Sequence, residues 1–81
     1  MLDNLAMACL EKAKEMPDSL TWQSLAAHLH LESSELVEAT RGKRGDVCEE
    51  AADVLFVLFS ALAHHDVQVS DVISTLEKRV K

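Results

Sequence analysis

Residues 46–64 read DVCEEAADVLFVLFSALAH, and this stretch decides the fold. Leu55, Leu58, Leu62 and Ala51 fall on one side of a helix, and Val54, Phe56, Val57 and Phe59 extend the apolar surface nearly all round. A helix apolar on so many sides is expected to be covered on most of them. The polar residues form a single line: Glu49, Glu50, Asp53, Ser60 and His64. Asp46 reads as the N-cap, with Glu49 three residues later completing a capping box.

Upstream, residues 25–39 (LAAHLHLESSELVEA) repeat the inversion. At 100° per residue, Leu25, Leu29 and Leu36 lie within about 40° of one another, and Glu32 falls inside the same arc. Ala39, His28 and Glu35 border it, while Glu38 points almost opposite, to solvent. Desolvating a carboxylate is expensive, so a Glu in a leucine stripe needs a partner. Glu32 and Glu35, like Glu50 and Asp53, are three residues apart and share a helix face. If the two helices pack antiparallel, the four carboxylates meet. They cannot all ionise at close range without compensation. Oxygen-rich clusters of this kind suit hard cations, Mg²⁺ or Mn²⁺.

Two further helices complete an all-α, four-helix-bundle-like fold over residues 1–81, read as one domain. The first spans about Asp3 to Met16 and stops at Pro17, Asp18 and Ser19. The second starts at its N-cap Thr21 and runs to about Arg41. Gly42 and Gly45 bracket a basic loop, and the third helix ends near His65. Ser70 is the expected cap of the fourth, which continues through Ile73, Leu76 and Val80. Two glycines and one proline in 81 residues fit helices with short connections.

The net charge of −6 argues against nonspecific nucleic-acid binding and requires that an anionic substrate arrive with cations. Cys9 and Cys48 lack metal or redox spacing and read as buried reduced thiols of a cytoplasmic protein. The apolar run Val54–Ala63 is too short for a bilayer, so no membrane partner is expected. A small four-helix unit cannot cover the third helix, so a homodimer or a dimer of dimers is expected, with that helix central.

The pattern Glu32-x-x-Glu35, fourteen residues, Glu50-x-x-Asp53 resembles the all-α NTP pyrophosphatase superfamily, in its short MazG-like form. The text around it fits as well: Trp22-Gln-Ser-Leu-Ala-Ala before the first pair, Glu35-Leu-Val-Glu-Ala after it, and Glu49-Glu-Ala-Ala-Asp-Val-Leu around the second. The resemblance covers about residues 19–81. It implies hydrolysis of a nucleoside triphosphate to the monophosphate and pyrophosphate, in a nucleotide-pool house-cleaning role. It also implies Mg²⁺ held by Glu32, Glu35, Glu50 and Asp53, which form the catalytic centre. Lys78 corresponds to a Lys that many relatives carry in the last helix; the Asn one turn beyond it falls past Lys81. Other branches with the same motif include dUTPase-like enzymes and phosphoribosyl-ATP pyrophosphatases, and a non-catalytic helical oligomer of the same fold is a further reading.

Several residues keep two readings. Glu49 is a capping residue or a fifth ligand. Arg41, Lys43 and Arg44 form a solvated connection or a pyrophosphate clamp. Trp22 packs in a core or interface, or stacks on a base. His28 contacts base or sugar, or, like His64, is a satisfied, partly buried histidine; His30 and His65 read as surface. A structural ion-pair network is the alternative to a metal cage for the four carboxylates. A di-iron carboxylate site is disfavoured because no Glu has a His three residues later.

Overall fold

A computed structural model describes residues 1–16, 18, 20–43 and 45–81. They form four helices and no strand: α1 (Leu2–Ala13), α2 (Trp22–Thr40), α3 (Val47–His64) and α4 (Val69–Arg79). The two central helices begin where the sequence predicts. Thr21 accepts a hydrogen bond from the Ser24 N–H through Oγ1 (3.1 Å), and Asp46 accepts one from the Glu49 N–H through Oδ1 (3.1 Å). Each side chain satisfies one of the donors that a helix start leaves unpaired.

Both helices close with a Schellman motif. At the end of α2, the Lys43 N–H reaches the Glu38 carbonyl and the Gly42 N–H the Ala39 carbonyl, with Gly42 at φ +72°. At the end of α3, the Val67 N–H reaches Leu62 and the Asp66 N–H reaches Ala63. There Asp66 takes the left-handed position, at φ +58°. α1 stops at Ala13, one turn before the expected Met16; its last carbonyls are taken up by the tighter turn bonds of Glu15 and Met16. Pro17 and Ser19, expected as breakers, lie outside the described residues.

α3 is the central element, packing against α1 on one side and α2 on the other, and α4 docks mainly on α1. The core joins Ala6 and Leu10 of α1, Phe59 and Ala63 of α3, and Val69 at the start of α4. α4 is capped differently from the sequence expectation. Its N-cap is Gln68, and Ser70 lies inside the helix. The Val69 N–H donates instead to Oδ1 of Asp3, 66 residues away on α1. A side chain from another helix thus replaces the local cap, and it can do so because Val69 is only 1% exposed against α1.

Burial is thinner than the apolar pattern predicts. Of α3, only Val57, Phe59, Ser60 and Ala63 are buried, and of α2 only Ala39. Leu55 is 46% exposed, and Leu29, Leu58, Leu5 and Leu76 are exposed as well. Cys48 is exposed and Cys9 half-buried, so neither is the fully buried thiol expected. A folded chain of 8.9 kDa ordinarily exposes about 4,800 Å², yet this one exposes 5953 Å². Its radius of gyration is 13.4 Å, against about 12 Å for a compact chain of this length. Among the described residues, no helix is long and apolar enough to cross a membrane.

Removing the acceptor that ties α1 to α4 should destabilise the whole chain. Asp3→Ala is expected to cost about 1–2 kcal/mol. In a thermal melt that is a fall of roughly 5–15 °C for a domain of this size. Asp3→Asn, which keeps an acceptor oxygen, should lose less. An unchanged melting temperature in Asp3→Ala would show that this bond contributes nothing.

Candidate metal-binding site

The helix geometry brings the two carboxylate pairs together. α2 and α3, joined by a short loop, pack on each other, and Glu32 and His28 of α2 share a cavity with Asp53 and Val57 of α3. Glu32, Glu35 and Glu50 each present a carboxylate oxygen within 4.8 Å of the other two. All three are half-buried. Asp53 stands outside this tight set and is exposed. It lines one cavity with Glu32, His28, Met16, Leu31, Phe56 and Val57.

Electrostatics mark Glu32 as the strained member. Burial, first of all, pushes its carboxyl above the usual carboxylate range; the charges of Glu35, Asp53 and Glu50 push it further, and His28 opposes them. Its Oε2 is buried without a hydrogen-bond partner. Among the described residues, the ion pairs are Lys12–Glu15, Lys14–Glu11 and Arg41–Glu38, all on exposed helix surface. Glu32, Glu35 and Asp53 have no share in them, which removes the support for an ion-pair network at these three residues. Three convergent carboxylate oxygens, with an orphaned buried acceptor on Glu32 beside or among them, form a donor set that fits a hard divalent cation.

The remaining candidates scatter. Arg41 caps α2 and is paired to Glu38 at 3.4 Å. Lys43 is exposed beside it, and Arg44 lies outside the described residues. Trp22 is 76% exposed, so it is not part of the core. His28 is exposed on the cavity wall, not partly buried, and His64 is exposed too. Lys78 is exposed on α4, whose packing partner is α1, and it forms no ion pair with Glu32, Glu35 or Asp53. Glu49 is exposed, with its backbone N–H engaged by Asp46. Ser60 leaves the polar line altogether: it is 2% exposed and its hydroxyl donates to the Phe56 carbonyl at 2.7 Å.

Four residues escape a reading by helix face. Leu31, Phe56 and Val57 wall the cavity beside Glu32; Phe56 and Val57 read in the sequence only as apolar surface of the third helix. Gly45 approaches the side chain of Glu50 from the loop. A glycine closing a short loop was the one visible signal for it.

Comparison with known proteins bears on this site. The family profile described as phosphoribosyl-ATP pyrophosphohydrolase matches residues 4–80. That family lies within the all-α NTP pyrophosphatase superfamily that the carboxylate pattern resembles. Among curated relatives, the phosphoribosyl-ATP pyrophosphatase of Cereibacter sphaeroides is 46% identical over 44 residues, covering 54% of this chain and 43% of its own. The enzyme of the same name from Dinoroseobacter shibae is 43% identical over 44 residues, with the same coverage of both chains. That of Roseobacter denitrificans is 46% identical, again over 44 residues, covering 54% of this chain and 42% of its own. The chain thus matches less than half the length of these relatives. No solved structure matches it at comparable stringency.

The raised proton affinity of Glu32 has a definite sign. The folded state holds a proton at Glu32 more readily than the unfolded chain does. Its contribution is therefore favourable below the ordinary Glu range and is lost as pH rises through the elevated folded value. In the presence of chelator, Glu32→Gln should raise the melting temperature at pH 7 and leave it unchanged near pH 4. A lower melting temperature at pH 7 would contradict the repulsion described above.

Proposed function

The chain belongs to the phosphoribosyl-ATP pyrophosphohydrolase family, and on that premise we propose that it is a cation-dependent nucleotide pyrophosphohydrolase. Its proposed reaction is phosphoribosyl-ATP plus water to phosphoribosyl-AMP plus pyrophosphate. Water adds to the α-phosphorus, the bond to the bridging α–β oxygen breaks, and pyrophosphate leaves. The carrying observation is the convergence of Glu32, Glu35 and Glu50 oxygens within 4.8 Å on facing helices. Family membership favours this substrate over general house-cleaning of nucleoside triphosphates.

Glu32, Glu35 and Glu50 would hold Mg²⁺, or Mn²⁺, with Asp53 beside them. A cation bound there neutralises phosphate charge and lowers the pKa of a coordinated water. Phosphoryl-type transfer is mostly positioning and charge stabilisation, which a rigid pair of helices supplies. Glu32 and Asp53 share the cavity, and one of the two would accept the proton of the attacking water. Arg41 and Lys43 lie just beyond the end of α2, where Glu35 faces Glu50, and would meet the departing pyrophosphate. His28, Leu31, Phe56 and Val57 form the wall against which the nucleoside would rest.

Assembly belongs to the same proposal. The surplus exposed area and the apolar cavity of Leu5, Cys9, Ala52, Leu55, Phe56 and Phe59 are suited to covering by a second copy. α3 would then be central to a homodimer, or to a dimer of dimers. Leu55→Glu should shift the sedimenting species toward 8.9 kDa. A wild-type chain that already sediments as a stable 8.9 kDa monomer at micromolar concentration would overturn this.

The decisive assay is pyrophosphate release with Mg²⁺ across phosphoribosyl-ATP and a panel of NTPs and dNTPs. Phosphoribosyl-ATP should be turned over fastest, with no release in chelator. Glu35→Gln and Glu50→Gln should each lose about 100-fold or more, since even groups behind metal ligands are worth 10–100-fold. Faster turnover of an ordinary dNTP would favour the house-cleaning branch. No turnover of any nucleotide would favour a non-catalytic helical oligomer.

A further inference from the structure

The α2–α3 loop is bracketed by two glycines in one backbone conformation, Gly42 at φ +72° and Gly45 at φ +75°. Any L-residue would be strained at either position. Their surroundings differ. A Cβ at Gly42 would meet nothing within 4 Å. A Cβ at Gly45 would fall 2.9 Å from Oε1 of Glu50, 3.3 Å from its Cγ and 3.4 Å from its Cδ. Glu50 sits in the first turn of α3, and its side chain lies back against the loop backbone at Gly45.

We infer that Gly45 is a positioning residue: its missing side chain is the space into which Glu50 folds to bring its carboxylate to Glu32 and Glu35. This rests on the cation-binding reading proposed above. A Glu side chain chooses among a few staggered rotamers. A methyl group at position 45 makes the one present here too close, and the carboxylate is the part free to move. Folding would then survive while the oxygen cluster loses a member. Gly42 serves another purpose, closing the α2 Schellman motif, and does not touch the cluster.

The pair of glycines supplies its own control. Mn²⁺ alone, titrated into the full chain and followed by electron paramagnetic resonance, reads binding without turnover. Gly45→Ala should weaken Mn²⁺ binding by about 10–100-fold, the range found when support behind a ligand is lost. Gly42→Ala, with the same backbone strain, should change it less than about threefold. In a Glu50→Gln background, Gly45→Ala should add no further loss. Equal affinities for Gly45→Ala and Gly42→Ala, or an undiminished loss in the Glu50→Gln background, would overturn the inference and leave the cation site standing. A wild-type chain that binds no Mn²⁺ would overturn the cation site and this inference with it. Circular dichroism accompanies each variant. If Gly45→Ala does not fold, restored folding in Gly45→Ala/Glu50→Ala supports the crowding of Glu50. Failure in both backgrounds overturns it.

Discussion

Like charges repel more strongly as water is withdrawn from between them, and α2 and α3 hold three half-buried carboxylates with oxygens within 4.8 Å of one another. That repulsion pushes apart the same two helices whose contact the fold needs. The α1–α3 core, in which Phe59 and Ala63 pack on Ala6 and Leu10, anchors α3 independently of the acidic face. Caps at Thr21 and Asp46 and the Schellman closure after Thr40 fix where each helix starts and stops. The angular relation of the carboxylates is therefore set by backbone and core, not by the acids. A cluster held open in advance is suited to a cation that must find its ligands in place.

The helices were legible in the sequence because their signals are local. Thr21 and Asp46 are cap residues with a helix of matching period behind them, and both act as caps. The position of Glu32 within a leucine arc likewise foretold a carboxylate turned inward. The failures are non-local. Ser70 looked like a cap because nothing near it reveals that Asp3 reaches Val69. Leu29, Leu55 and Leu58 read as core, because an apolar pattern does not reveal which of its members the fold leaves exposed. Ser60 looked polar, yet its hydroxyl is satisfied by the carbonyl one turn back and disappears into the packing.

The site was legible to different depths for a related reason. Carboxylates are few, charged and regularly spaced here, so they stand out in an apolar helix. The wall of the cavity beside them is largely aliphatic and aromatic. Phe56 and Val57 are indistinguishable from core residues until the cavity is seen. The acidic pattern thus leads to a superfamily, and the match over residues 4–80 leads to a branch within it. Gly45 belongs with the unreadable residues: its importance lies in what it lacks, and only the fold shows what fills the gap.

The bond between Asp3 and Val69 bears on the order in which this chain assembles. It spans 66 residues, whereas most neighbouring elements here meet through short connections. Closing so long a loop costs entropy before any contact repays it, and long-range pairings form late for that reason. During synthesis α1 can pack on α3 once that helix has emerged, but its Asp3 end stays open until α4 follows. The helical hairpin of α2 and α3 can form meanwhile, so the acidic face would take shape before the molecule is tied shut.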